Sequence, residues 1–398
     1  MLDFKIHPWK DNLEVQEIET DGTKFALIID RDGLTSQPIQ MPLQVWRQLQ
    51  FFNEPEINQK VLSGIYQLSI PLDQLRQVVF NLDLMGYLKS PRLETIVKQK
   101  KEYLDSSIKE PVCSGSVYSN NLEELDTYIS NSLFHIEKQR LNLPRLILAP
   151  HLDYNTGQKT IEAYANAFSP LKGHANSYKK ILMLGTAHYI DSNLIMLCDK
   201  NYLTPYGEAK VNRKLTNMLS QEDPSVSIDN LAHRNEHSLE LHLPFLQHIF
   251  RNQEVEYLFA LTGDISSDID CSASASERLK KTINSLKNII DDDTLVVASG
   301  DLTHIGHKFG DERSSAQMRS ENENYIDSLN SSLSIGSASE WANAIKSMNN
   351  SFRVCGYSPF FIALSLFDNL QVEQSSQPHI WEETSTGSSV SVVGYSYS

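Results

Sequence analysis

The chain's 398 residues, 40% hydrophobic and 21% charged, suffice for two globular domains. A formal net charge of −15 disfavours non-specific binding to nucleic acid. The four cysteines (Cys113, Cys198, Cys271, Cys355) are scattered without a C-x-x-C pair, no apolar leader opens the chain, and no run of about 18 apolar residues occurs. Free thiols, no membrane span and a cytoplasmic location are therefore expected.

Residues 1–105 read as a unit of their own. Residues 23–30 (TKFALIID) form a β-rich run followed by an Arg-Asp-Gly turn. Three short helices are expected over 43–52, 56–64 and 72–85. In the last, Leu75, Val78, Val79, Leu82 and Leu84 keep a helical period, and Gly86 serves as the C-cap. A β-wing over 87–92 would make this a small N-terminal winged-helix-like α+β domain. Many such modules bind DNA, but the third helix carries one Arg and two Asp, where a recognition helix needs several basic or amide groups. Protein docking is the better expectation, and nucleic acid is disfavoured as a partner.

Residues 98–104 (KQKKEYL) read as a solvated helix end, and 106–121, rich in turn formers, as a linker. A second domain is expected over 122–398. It opens with an amphipathic helix over 122–140, where Leu122, Leu125, Ile129, Leu133 and Ile136 fall at helical spacing. Then follow strand 145–149, helix 157–168, strands 180–184 and 193–197, helix 208–220, an apolar segment 239–250 and strand 255–260. Helix 273–290, strand 294–298, helices 315–331, 338–348 and 356–368, and a closing strand 389–396 complete it. This alternation predicts an α/β domain with a mixed, mostly parallel sheet flanked by helices.

Three of the strands end alike. RLILA (145–149) runs into Pro-His-Leu-Asp-Tyr, ILML (181–184) into Gly-Thr-Ala-His, and LVVA (295–298) into Ser-Gly-Asp-Leu-Thr-His. Ligands bind at the carboxyl ends of parallel strands, so His151, His188 and His304 are candidates for a metal or acid–base site. Pro150 favours an extended strand end with His151 just beyond it, and Asp153 stands where it could orient the ring. For both His151 and His188 the plain alternative is a solvated loop histidine. Asp301 and His304 would share a face if their turn opens a helix; the carboxylate would then raise the imidazole pKa and fix its tautomer for proton transfer. Otherwise Asp301 is a helix N-cap. His233 and His237 stand four apart, but the order is not H-E-x-x-H and Pro244 follows. Glu236 and His237 read better as polar groups facing the same pocket. Cys355 is either a small buried hydrophobe or, with its pKa lowered at a helix start, a thiolate nucleophile or soft metal ligand. No G-x-S-x-G elbow, P-loop or G-x-G-x-x-G occurs, which disfavours familiar serine hydrolases and nucleotide enzymes.

The segments APHLDY (149–154), GTAH (185–188), TPYGEAKV (204–211), HRNEHSLELHLPFLQ (233–247), SGDLTHIG (299–306), CGYSPFF (355–361) and VVGYSYS (392–398) resemble, in this order, the MEMO family. They resemble more closely its longer bacterial form, AmmeMemoRadiSam system protein B. SGSVYS (114–119) resembles the family's opening segment, and DGTKFALIID with LDLMGYLKS the extra domain of the longer form. The resemblance implies a fold shared with class III extradiol dioxygenases, which are non-haem iron enzymes. It implies metal ligands at His151, His188 and Cys355, an acid–base histidine at His304 with Asp301 beside it, and a further pocket pair at Glu236 and His237. It also implies a radical SAM enzyme and an AMMECR-type protein as partners; this chain lacks the C-x-x-x-C-x-x-C motif of the radical SAM component. Cys355 stands where extradiol enzymes place a carboxylate. Two imidazoles and a thiolate are a softer set, suited to Fe(II) or Cu(I), with Zn also accommodated. The expected function is metal-dependent redox or oxygen-dependent activity on a small molecule or peptide. The alternatives are a non-catalytic scaffold that binds a partner protein or peptide in the same cleft, and zinc-assisted hydrolysis with Glu236 as base.

Overall fold

A computed structural model of the chain describes all residues except 1–4, 21, 32–33, 36–37, 55–70, 135–141 and 271. The chain divides into two compact units, Met1–Ser106 and Ser107–Ser398.

In the first unit the expected strand is present as β2 (Thr23–Asp30). It pairs antiparallel with β1 (Leu13–Thr20) on one side and β3 (Ile39–Pro42) on the other. Neither partner was expected, because the apolar–polar alternation of LEVQEIET breaks at Gln16-Glu17 and IQMP is short. One sheet face supplies Ala26 and Ile28 to a small core with Trp9, Phe51, Phe52, Leu75, Val79 and Leu82. The helix expected over 43–52 is α1 (Leu43–Gln48) followed by a 3₁₀ turn. The one expected over 56–64 lies outside the described residues. The third is α2 (Leu72–Leu84), and Gly86 follows it at φ +81°, a left-handed value that suits glycine. The expected β-wing over 87–92 is not formed. Leu88 makes a single bridge to Trp9, and Ser90 then caps α3 (Pro91–Asp105) by accepting from the Arg92 N–H, with Pro91 in the first turn. Ser-Pro at this point is helix-start chemistry, which overrides the β-favouring Tyr87 before it.

The second unit is built on an eight-stranded sheet in the order β10-β7-β11-β6-β12-β5-β17-β14. Its strands are β5 (Leu146–Ala149), β6 (Lys180–Thr186), β7 (Ile195–Cys198), β10 (Val226–Ile228), β11 (Glu256–Thr262), β12 (Thr294–Ser299), β14 (Val372–Ser375) and β17 (Tyr395–Tyr397). The central four, β11-β6-β12-β5, are mutually parallel. β7 runs antiparallel to β11, and β17 antiparallel to β5. The mixed, mostly parallel sheet expected from the sequence is thus present. Alternate residues along each strand enter different cores. Leu146, Leu148, Leu182, Leu184, Val296 and Ala298 pack with α9 (Glu277–Lys287), α10 (Ser315–Ile335), α11 (Ala338–Ser347) and α12 (Tyr357–Ser365). Ile147, Ala149, Ile181, Met183, Leu295 and Val297 pack on the other face with α4 (Leu122–Phe134), α5 (Gln158–Phe168) and α8 (Leu243–Ile249).

Several local expectations are corrected. The stretch 106–121 is not a free linker. β4 (Ile108–Lys109) pairs with β8 (Asn201–Thr204), and the Glu240 carboxylate accepts from Lys109 Nζ at 2.7 Å and from the N–H groups of Val112 and Cys113 and the Tyr118 hydroxyl, each at 2.8 Å. Lys109 and Glu240 are fully buried. The expected helix over 208–220 starts only as α6 (Arg213–Glu222), because Gly207 turns the chain into β9 (Gly207–Ala209) against β8. α7 (Asn230–Arg234) follows β10. The single closing strand over 389–396 is two strands. β16 (Ser388–Val392) joins β13 (His304–Gly306) and β15 (His379–Glu383) in a separate small sheet, and only β17 enters the main one.

Among the described residues no helix is long and apolar enough to cross a membrane. The loops after β12 and before α12 meet where a Cβ on Gly300 would lie 2.3 Å from Gly356 Cα. Gly300→Ala is therefore expected to push these loops apart and cost ~1–3 kcal/mol. Urea unfolding measures the cost, and an unchanged midpoint would contradict it.

Candidate metal centre

The carboxyl ends of β5, β6 and β12 lie side by side, so the residues that follow them converge. His151 is buried, and its N–H donates to Asp301 Oδ1 at 2.9 Å. Its Nδ1 lies 2.9 Å from Ser299 Oγ, and that hydroxyl donates its only proton to the Ser238 carbonyl. Ser299 must then accept from the ring, so His151 carries its proton on Nδ1 and keeps a lone pair on Nε2. Cys355 Sγ lies 3.3 Å from that Nε2. The expected orienting role of Asp153 falls to Ser299; Asp153 instead accepts from the Asn155 N–H.

His188 N–H and Nδ1 both bind Glu236, at 2.8 and 2.9 Å. The same carboxylate accepts from the N–H groups of His237 and Ser238 and lies 3.3 Å from His237 Nδ1. Burial pushes the Glu236 pKa up, but the hydrogen bonds from His188 and His237 outweigh it and hold the group far below the ordinary carboxylate range. Burial pulls His188 down, but its bond to Glu236 and the negative charges of Glu236 and Asp301 together outweigh this and raise it. Glu236 was expected to face the pocket as a catalytic group or base. Its oxygens are filled by N–H donors, so it positions two imidazoles instead. His237 joins the cluster directly, with its ring centroid 5.0 Å from His188 and 5.4 Å from His151. His233, four residues earlier, does not. α7 ends at Arg234, and His233 is buried between the Tyr202 hydroxyl and the Met196 carbonyl.

Asp301 and His304 do not share a helix. Asp301 lies in the loop after β12, and His304 opens β13. Asp301 Oδ2 is 3.8 Å from His151 Nε2 and 4.0 Å from His304 Nε2. Burial pushes Asp301 up to about 6. It also pulls His304 down to about 4, against the expected rise, because desolvation outweighs a carboxylate at this distance. His304 Nδ1 lies 2.9 Å from the Arg353 carbonyl, which can only accept, so the ring's Nε2 lone pair turns toward Asp301. Cys355 does not gain a lowered pKa from a helix start; burial pushes its thiol well above the ordinary value. Its Sγ also accepts from the Asp301 N–H at 3.1 Å. The expected ligands are all in this region, but they divide between two groups of donor atoms within 4.8 Å of one another. One is His151, His188 and His237, and the other is His151, Asp301 and Cys355.

A sequence profile described as Memo-like protein matches residues 109–398. The chain belongs to the Memo-like family. An Aquifex aeolicus MEMO1 family protein is 28% identical over 332 residues, 82% of each chain. That share exceeds the Memo-like segment, so the likeness reaches into the first unit. MEMO1 family protein MJ0403 of Methanocaldococcus jannaschii is 23% identical over 73% of this chain and 98% of its own length. The protein memo-1 homolog of Caenorhabditis elegans is 23% identical over 66% of this chain and 72% of its own.

In this Memo-like unit Ser299, Ser238 and Glu236 fix the orientation of the three clustered imidazoles. In the sequence Ser299 only closes a strand; the signal that it matters is a hydroxyl placed beside the His151 strand, which only the parallel register reveals. Glu236→Gln keeps the shape of the carboxylate but puts an N–H₂ where an acceptor is needed. It is expected to weaken metal binding by roughly 10–100-fold, the usual effect of losing such a partner. Titration with Fe(II) or Zn(II) under argon checks this, and equal affinity would contradict it.

Proposed function

We propose that this protein binds one transition-metal ion at the His151 cluster and uses it in redox or oxygen-dependent chemistry on a small molecule or peptide. Fe(II) or Cu(I) is the ion favoured by the donor set, with Zn(II) also accommodated. The supporting observation is the set of hydrogen bonds behind the rings. Ser299 holds His151 Nδ1 and Glu236 holds His188 Nδ1, so each ring has its Nε2 free for an ion. Cys355 Sγ adds a sulfur donor beside His151.

A bound ion would supply a Lewis acid or a one-electron couple. The residues of the chain do the rest. His188 and His237, about a third exposed, lie on the side open to an arriving substrate. His304 Nε2, whose lone pair faces Asp301, takes a proton from the substrate, and the Asp301 carboxylate 4.0 Å away stabilises the imidazolium that forms. Gly300 and Gly356 let the Cys355 loop lie against the Asp301 loop. The radical SAM and AMMECR-type partners suggested by the family resemblance belong to the same proposal, with the first unit as a docking module and the cytoplasm as the location.

Melting curves of the full chain with Fe(II), Cu(I) and Zn(II) test it. An ion that binds only the native state must raise Tm. No rise with any of the three would overturn the proposal and leave the scaffold reading.

A further inference from the structure

The loop between α11 and α12 grips His304 at its backbone N–H, its carbonyl and its Nδ1. The Phe352 carbonyl accepts from the His304 N–H at 2.7 Å, and the Arg353 carbonyl accepts from Nδ1 at 2.9 Å. Arg353 Nη1 donates in return to the His304 carbonyl at 3.1 Å. The structure assigns to Arg353 the role of positioning residue for this ring: its guanidinium holds a strained backbone turn whose carbonyl keeps the ring proton on Nδ1 and leaves Nε2 bare. This rests on the reading of His304 as proton acceptor above and deepens it.

Three residues of the loop have a left-handed backbone, Asn349 at φ +50°, Asn350 at +48° and Arg353 at +51°. Asparagine enters this region readily, whereas arginine stays there only when its surroundings hold it. Here they do. Arg353 Nη2 donates to Asp311 Oδ1 at 2.6 Å and Nη1 to Asp311 Oδ2 at 3.1 Å, a two-point contact with a defined orientation. Asp311 is tied in turn to β13, because its Oδ2 accepts from the Gly306 N–H at 2.8 Å. The Arg353 side chain is 38% exposed, so the pair adds little stability by itself. What it supplies is direction: it fixes where the Arg353 peptide points.

That direction decides a competition. A neutral imidazole has one N–H, and two acceptors compete for it. The Arg353 carbonyl lies 2.9 Å from Nδ1, and the Asp301 carboxylate 4.0 Å from Nε2. A carboxylate is the stronger acceptor at equal distance. A ring released by Arg353 would therefore pass its proton to Nε2 and lose the lone pair that a substrate proton needs. Phe309 stands edge-on to the ring at 5.1 Å and restricts its swing, but an apolar ring does not choose between the two nitrogens.

Nitrogen-15 NMR of the metal-free full chain, labelled at histidine and held at neutral pH, tests this. Signals lost in His304→Gln identify the ring, which burial keeps uncharged at that pH. The wild type is expected to show a protonated Nδ1 and a bare Nε2. Arg353→Ala, or Arg353→Gln if the first fails to fold, should place the proton on Nε2 in roughly half of the molecules or more. Arg353→Gly takes the left-handed turn without a Cβ penalty and should restore most of the wild-type pattern. A wild-type pattern in the folded Ala or Gln variant would overturn the role of Arg353. So would a Gly variant no closer to the wild type than Ala, or a wild-type ring already protonated on Nε2. Failure of the wild type to bind an ion in the melting curves would overturn the metal reading and leave these nitrogen signals as they are.

Discussion

His151→Ala protein, purified anaerobically beside the wild type, will carry at most a trace of transition metal where the wild type carries one ion per chain. His151 belongs to both donor groups, so no rearrangement within the cluster replaces it. Its ring is also the most deeply buried of the three, so a water or buffer molecule is a poor substitute. At a free Fe(II) concentration of about 100 Kd the ion adds ~2.7 kcal/mol to the wild-type native state, and nothing to a variant that cannot hold it. The wild type should thus gain on the order of 5 °C in Tm with Fe(II), and His151→Ala none. Elemental analysis and paired melting curves measure both quantities. Equal metal content in the two proteins would remove His151 from the site.

Glu240→Ala should destabilise the second unit by ~3–5 kcal/mol, the cost of leaving one partner of a buried ion pair alone. Lys109 Nζ, two backbone N–H groups and the Tyr118 hydroxyl all lose their acceptor at once. Lys109 also lies over the Tyr202 ring at 4.9 Å, so its charge has no easy route to water. Glu240→Leu combined with Lys109→Met should recover only the part of the loss that comes from the stranded Lys109 charge, because the two N–H groups and the Tyr118 hydroxyl still lack an acceptor. Urea midpoints of the single and double variants decide it. A loss below about 1 kcal/mol in Glu240→Ala would show that the pair is solvated.

The central strands were legible because they are buried on both faces and read as continuous apolar runs ending in turn residues. The strands that were missed carry no such signal. VEQS and HIWEE are polar edge strands, and β16 and β17 share one apolar run broken at Gly394, where a Cβ would meet the Ala163 carbonyl at 2.0 Å. His151 and His188 could be placed from strand ends alone. Which group stands behind each ring could not, since Ser299 and Glu236 come from distant segments brought in by the sheet. The sign of the His304 shift was misjudged for a related reason: a sequence shows the neighbouring carboxylate but not the burial that outweighs it. Glu240 stood out least, although a glutamate inside SLELHLPFL has no route to water and so demands a partner.

β17 flanks the strand that carries His151, with Tyr395, Ser396 and Tyr397 opposite Leu148, Ile147 and Leu146. Proteins are made from the amino end, so β5 leaves the ribosome long before its neighbour exists. Until residues 395–397 emerge, one edge of β5 stays open and the loop bearing His151 lacks its final support. Loading of an ion should therefore follow synthesis of nearly the whole second unit, and nascent chains stalled before β17 should not retain one.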